Sequence, residues 1–317
     1  MFKFLINNIY WDKSKRKLVI SPKSLLLALL VTAGFLITFK LVEFTNYLPL
    51  LDYSVSFVNP NDIIVNLVPL RKKLDSIVQD IGSDHISLYL ESLNSGANIT
   101  INKDLRVFPF SLAKLPLAIV VMKKIENREL KLNQGIELKE EDLDSLSGEL
   151  YKSKAGTVIS IGDLLKTLLV DSDNTAQHAL LRNISLDNMQ VLISGVGLEG
   201  LSNSDSKISA KEYTRFFRIL FFSSYLLPKN SQRIIELLSE ATFHDFISSG
   251  MPPNVTFAHK YGEDINNQIY LDSGIIYIKN RPTMITVMLQ GLKEVKAKEV
   301  MSDIGYEAYR YVSNYNP

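Results

Sequence analysis

FPFSLAKLPLAIVVM, Phe108 to Met122, is the stretch whose reading decides the fold. From Leu112 to Met122 only Lys114 is charged and the rest is apolar on every side, the pattern of a helix enclosed by a domain rather than laid on its surface. Pro116 fits only near the start of such a helix, where N–H groups are unpaired in any case, so the helix is expected to begin at or just after Ser111. Ser111 and Lys114 are three residues apart and share a helix face. A hydroxyl then lies within reach of an amine. The hydroxyl sits at the positive end of a helix dipole, and the amine sits in a low-dielectric setting that lowers its pKa towards that of a usable base. S-x-x-K is short enough to occur by chance, but a surface Ser and Lys pair needs no apolar helix around it.

The chain has 317 residues, 46% of them hydrophobic, and a formal net charge of +1. That length buries a large core, with about 260 residues left for one domain once a membrane segment is set aside. Near-neutrality gives no reason to expect nucleic acid or another polyanion as partner. Cysteine is absent, which excludes disulfides and thiolate metal sites, and His85, His178, His244 and His259 have no ligand spacing, so no metal is expected. The acidic run Glu140, Glu141, Asp142 and Asp144 also lacks a metal-ligand pattern and reads as a solvated turn.

Ser24 to Phe39, SLLLALLVTAGFLITF, is uncharged and flanked by Lys23 and Lys40, with Lys13, Lys15, Arg16 and Lys17 upstream. As a helix it spans roughly 24 Å at 1.5 Å per residue, short of the ~30 Å hydrocarbon layer. Adding Leu41 and Val42, with Lys40 snorkelling, closes the gap. No A-x-A site follows, and the basic flank favours an uncleaved anchor over a signal peptide. The expected plan is a cytoplasmic segment 1–23, a transmembrane helix 24–42, a tether 43–60, and a domain 61–317 on the extracytoplasmic side of the cell membrane.

Within that domain, Pro69, the apolar set Leu70, Leu74, Ile77 and Ile81, and Gly82 as a stop predict an amphipathic helix. Ile86, Leu88 and Leu90 alternate with polar or amphipathic neighbours, and the Asn94-Ser95-Gly96 turn makes a hairpin with Ile99 and Ile101. Ser160 with Asp163, and Ser209 with Glu212, have capping-box spacing ahead of apolar helices, and Ser185 to Ile193 is a short helix stopped by Gly195. After Ser249 the period turns to that of strands, over Phe257 to Tyr261, Ile269 to Ile278 and Met284 to Leu289, before a last helix from Glu294 to Tyr315. Strands at both ends and helices in the middle predict one α/β (α+β) domain with two lobes. A sheet lobe (61–110 and 255–317) carries an antiparallel sheet flanked by helices, and 111–254 forms an all-helical lobe.

Two more patches carry chemistry. VDSDNTA places Ser172, Asp173 and Asn174 between helical runs, and AHKYGED opens a strand with Lys260, Tyr261 and Gly262, where a glycine lets a substrate backbone lie close. S-x-x-K, S-D-N and K-x-G in this order, followed by DSGIIY (Asp272 to Tyr277), resemble the motif set of class A β-lactamases and penicillin-binding proteins, over roughly Leu70 to Tyr315. The resemblance implies a β-lactamase/transpeptidase-like fold. It makes Ser111 the acylated nucleophile, Lys114 its base, Ser172 a proton relay towards the leaving group, and Asn174 a holder of a substrate amide. Lys260 would supply positive charge near a substrate carboxylate, and the backbone N–H groups of Ser111 and Glu263 would form the oxyanion hole.

Two departures shape what the resemblance implies. No E-x-x-L-N glutamate, the family's activator of the deacylating water, stands between Asn183 and Ser209, and Glu199 with Asn203 has the wrong spacing. Tyr261 replaces the usual Thr or Ser and puts its hydroxyl ~4 Å farther out. The reading is a membrane-anchored serine hydrolase without metal or organic cofactor, a D,D-peptidase acting on peptidoglycan stem peptides. The alternatives are a β-lactamase hydrolysing β-lactams, or a catalytically silent wall-binding module. His259, Asp272 and Arg281 read as a packed strand residue, a strand polar contact and an exposed hairpin residue.

Overall fold

The computed structural model describes residues 9–12, 17–20, 26, 28–37, 63–64, 66–184, 186–198 and 206–316. The chain divides into two compact units, Met1–Pro49 and Leu50–Pro317. In the first, β1 (Ile9–Asp12) pairs antiparallel with β2 (Lys17–Ile20), a hairpin the sequence reading did not foresee. Residues 28–37 form a helix, α1, whose apolar side chains, Leu29, Leu30 and Phe35 among them, are exposed. Among the described residues no helix is long and apolar enough to cross a membrane. Residues 24, 25, 27 and 38–42 of the expected anchor lie outside the described residues.

The second unit opens with α2 (Val68–Ile81), which has Pro69 in its first turn and ends at Gly82. The hairpin β3 (Ile86–Ser92) and β4 (Asn98–Ile101) follows, then α3 (Lys114–Glu126). A small antiparallel pair, β5 (Gly135–Glu137) and β6 (Val158–Ser160), leads into α4 (Ile161–Val170), α5 (Asn174–Leu181) and α6 (Leu186–Gly195). Next come α7 (Ala210–Phe221) and α8 (Pro228–Ser239). The chain returns through β7 (Phe257–Asp264), β8 (Ile269–Ile276) and β9 (Thr283–Gln290) to α9 (Glu294–Ser313). The five-stranded antiparallel sheet runs β4-β3-β9-β8-β7, so β7 is an edge.

Both faces of this sheet are covered. One packs Leu88, Leu90, Val287 and Leu289 against Leu70 and Leu74 of α2 and Val300, Met301 and Ile304 of α9. The other meets α7, with Thr214 Oγ1 2.7 Å from Thr286 Oγ1 and Ser273 Oγ 2.6 Å from the same atom. The alternation read in β3 therefore does not mark a solvent face: Ser87, Tyr89 and Glu91 are buried too, and Glu91 is satisfied by Tyr89 and by Arg218 of α7. Polar side chains pair across a helix–sheet seam that a pattern of apolar residues cannot show.

α3 is the axis of the helical lobe, buried from Lys114 to Met122 and packed against α4, α5, α6 and α8. Ser209 and Glu212 form the full reciprocal capping box of α7. Ser160 caps α4 by accepting from the Asp163 N–H, but the Asp163 carboxylate accepts the Ser160 hydroxyl and not its backbone N–H. The acidic run is not a solvated turn throughout. Asp142 is 1% exposed and binds Arg182 at 2.8 and 2.6 Å, because a carboxylate taken from water needs a fixed cation. Arg281 is half-buried and donates to the Val312 carbonyl at 3.1 Å, so it closes α9 onto the sheet instead of standing free.

Helix α9 crosses the 3-10 turn Ile247–Gly250 so closely that a Cβ on Gly305 would stand 2.1 Å from the Ile247 carbonyl oxygen. Gly305→Ala is expected to cost about 1–3 kcal/mol, the usual range for overpacking. A urea unfolding midpoint equal to that of the unaltered protein would show that the two backbones do not meet.

Candidate active site

Ser111 lies in a 3-10 turn, Phe110–Ala113, that runs straight into α3, so the hydroxyl is set one turn ahead of Lys114. The turn is entered through Phe110 at φ +43°, a left-handed conformation costly for an aromatic residue, and is fastened from α7 by Tyr213, whose hydroxyl donates to the Leu112 carbonyl at 2.8 Å.

Lys114 is fully buried, and its Nζ meets three residues, Ser111, Ser172 and Asn174. It stands 2.5 Å from the Ser172 carbonyl oxygen and 2.6 Å from Asn174 Oδ1, both acceptors only. It is also 3.1 Å from Ser111 Oγ and 3.2 Å from Ser172 Oγ. A neutral amine has two hydrogens and one lone pair. The two acceptors take the hydrogens, which leaves the lone pair for a hydroxyl. Burial brings the Lys114 pKa down to about 8, against the opposing pull of Asp173 and Asp144.

Ser172, at φ +57°, forms the corner between α4 and α5. Asp173 fixes it: one carboxylate oxygen caps α5 through the Ala176 N–H at 2.8 Å, and the other accepts from the Leu150 N–H at 2.8 Å. Ser147 Oγ donates to the Ser172 carbonyl at 2.8 Å, and the Asn174 N–H reaches the Ser147 carbonyl at 2.9 Å. Ser147 and Tyr213 are supports that the sequence reading missed, and Asp173, named there within the S-D-N patch, had no role assigned to it. Only Asp173 carried a signal there, an Asp ahead of the helical NTAQHALL.

Edge strand β7 makes the opposite wall. Lys260 is 1% exposed and its Nζ donates to Ser172 Oγ at 2.8 Å, so two amines converge on one hydroxyl. Burial, then the neighbouring charge of Lys114, hold Lys260 well below an ordinary lysine, while Asp272 opposes the shift. A Cβ on Gly262 would lie 3.2 Å from the backbone nitrogens of both Ser111 and Leu112, so a side chain there would crowd the turn. The Tyr261 ring stacks on Phe243 with centroids 3.8 Å apart and planes at 11°, and Lys260 Nζ lies 4.4 Å from its centroid. The ring leaves a cleft of about 460 Å³ whose walls include Ser111, Ser147, Asn174, His178, Tyr261 and Glu263.

Of the eight residues singled out from the sequence, Ser111, Asn174, Tyr261 and Glu263 line this cleft; Lys114, Ser172 and Lys260 are buried beside it in one chain of hydrogen bonds, and Gly262 lies against the Ser111 turn. His259 is packed beneath, its Nδ1 2.8 Å from Asp272 Oδ1. Glu199 lies outside the described residues. Among the described residues no group of three or more potential metal ligands comes together.

The model of the β-lactamase enzyme family matches residues 69–312. β-Lactamase VEB-1 of Pseudomonas aeruginosa is 25% identical in an alignment 272 residues long that covers 77% of this chain and 91% of that protein. Among solved structures, the β-lactamase of Sphaerobacter thermophilus superposes with a TM-score of 0.71 at 18% identity, covering 80% of this chain and all of the other. PBP-A superposes at 0.70 and 16% identity, over 82% of this chain and all of its own. A variant of PBP-A held as an acyl-enzyme complex with penicillin G gives 0.71 at 16% identity, over 78% of this chain and 98% of that one. These likenesses agree on a mixed α/β fold with an antiparallel sheet and a helical lobe, and the matched span contains every residue of the cleft. The chain belongs to the β-lactamase enzyme family and is a serine hydrolase of the β-lactamase and penicillin-binding-protein kind.

Proposed function

We propose that the chain is a membrane-anchored D,D-peptidase that cleaves peptidoglycan stem peptides through a Ser111 acyl-enzyme. The observation that carries this reading is the Lys114 amine, buried, tied by two acceptors and 3.1 Å from the Ser111 hydroxyl. Lys114 takes the serine proton as Oγ attacks the substrate carbonyl, and the developing oxyanion is met by the backbone N–H groups of Ser111 and Glu263. The proton then passes by Ser172 to the departing amine. Ser172 Oγ suits that task because it lies 3.2 Å from one amine and 2.8 Å from the other. As a sheet edge, β7 offers unpaired backbone groups to an extended peptide, and Asn174 offers its amide.

Peptidase action is favoured over β-lactam hydrolysis by the missing E-x-x-L-N glutamate, the family's activator of the water that clears a penicilloyl ester. The second reading, β-lactam hydrolysis, is supported by the similarity to VEB-1, a β-lactamase. The anchor reading rests on the uncharged run Ser24 to Phe39 with its basic flank, and it places the domain outside the cytoplasm.

Fluorescent penicillin should label the protein covalently, and Ser111→Ala should abolish the label; a label that persists removes Ser111 from the chemistry. Lys114→Ala should slow acylation by about 10²–10⁴-fold, the range for a lost general base. Nitrocefin turnover well above a trace would replace the peptidase reading by the β-lactamase one.

Acylation needs Lys114 unprotonated. With its pKa at about 8, the acylation rate should rise about tenfold per pH unit below 8 and level off above it. A rate flat between pH 6 and 8, measured by stopped labelling, would mean that Lys114 is not the base. In cell fractions the full chain should pellet with membranes and resist high-salt extraction, whereas recovery in the soluble fraction would remove the anchor.

A further inference from the structure

The cleft holds an imidazole that the acylation machinery does not use. Asn174 and His178 are four apart on α5 and therefore share a face, with Cβ atoms ~6 Å from each other. Asn174 Oδ1 meets the Lys114 amine at 2.6 Å, so this face of α5 is turned to the nucleophile, and Ser111, Asn174 and His178 line the same cleft. Behind His178 stands Asp144, whose Oδ2 is 3.3 Å from the ring Nε2. Burial pushes the Asp144 carboxyl up, but hydrogen bonds from the Leu146 N–H, the Asn174 amide and His178 together hold it below the ordinary range.

An ionised Asp144 only accepts hydrogen bonds. It therefore fixes the tautomer with hydrogen on Nε2, and Nδ1 keeps its lone pair. This is the arrangement of a base and its orienting carboxylate, built on the wall of a cleft whose nucleophile becomes an ester. The other titratable side chains that line the cleft are Glu263 and Tyr261. Glu263 is raised first by burial and then by Glu294, with Lys298 and Asp245 as its further charged neighbours, while the Tyr261 ring is packed on Phe243. On the next turn of α5, Arg182 is bound to Asp142, the other carboxylate near His178.

Resting on the acyl-enzyme reading above, we propose that His178, oriented by Asp144, is the base that activates the water which clears the Ser111 ester. The water oxygen bonds to the acyl carbon while one of its protons passes to His178 Nδ1, and the carbonyl electron pair moves onto the oxygen in the oxyanion hole. On collapse the bond from the acyl carbon to Ser111 Oγ breaks with its electron pair left on Oγ. That oxygen takes the proton back from His178. The products are a free carboxylic acid and the original serine.

The test uses the full chain acylated with fluorescent penicillin, free label removed, and loss of bound label followed on gels. In His178→Gln the ratio of release rate to acylation rate should fall at least about tenfold, as for a lost general base. In His178→Ala added imidazole should restore release, because the half-exposed ring leaves a space open to solvent. An unchanged ratio in His178→Gln overturns the proposal and leaves Ser111 acylation standing. Slow release that imidazole does not restore also overturns it, since His178 would then only support the wall. If the unaltered protein takes no label, both this proposal and the acyl-enzyme reading fall together.

Discussion

The Lys114 amine, cut off from water, is the constraint on which the site depends. A charged ammonium in that position is costly, and an unsatisfied neutral amine is costly as well. The chain resolves this by bringing two acceptors from one loop, the Ser172 carbonyl and the Asn174 amide oxygen, onto a helix from another part of the sequence. That requirement forces the corner at Ser172, which in turn explains why Asp173 caps α5 and binds Leu150. Satisfying one buried nitrogen thus fixes the relative positions of α3, α4, α5 and the 146–150 loop. The same contacts leave the amine's lone pair with only a hydroxyl to face, so the packing solution and the chemical one coincide.

Lys260 adds a second buried amine to the same hydroxyl, and the two resist being charged together. A proton arriving on either raises the cost of one on the other. Ser172 lies between them and can donate to one while accepting from the other. Such a pair favours passing a proton along over storing it, which suits a step that must deliver the serine proton to a leaving group. The left-handed conformations at Phe110 and Ser172 belong to this account, because one immediately precedes Ser111 and the other is at Ser172 itself, each at a cost that the surrounding packing must offset.

Much of this was legible in the sequence where a residue's own chemistry dictated its place. An apolar run broken only by Lys114 admits no other reading than a buried helix, and Pro69 with Gly82, or Ser209 with Glu212, mark helix ends through local backbone needs. What escaped depended on partners distant in sequence. The burial of Asp142 follows from Arg182, that of Glu91 from Arg218, and the pairing of Asp144 with His178 from the way α5 lies against its loop. The eight residues that the fold gathers at the cleft were singled out through the order of three short motifs, but their supports, Ser147 and Tyr213, have no motif. Their work is done through backbone atoms of other residues, which leave no trace in the pattern of side chains.

Tyr261 shows how the two levels meet. In the strand's alternation it falls on the same side as Phe257 and is packed against the same apolar core, which accounts for its stack on Phe243. Lys260 should then point the opposite way, yet its stem bends so that Nζ lies over the Tyr261 ring and reaches the Tyr261 carbonyl at 3.0 Å. The ring face therefore lies against the amine where a Thr or Ser would leave it open to an incoming anion. A substrate carboxylate approaching Lys260 would have to pass a large, firmly packed ring. Selection among acyl donors at such a site would accordingly depend on the shape of the group next to Tyr261 more than on its charge.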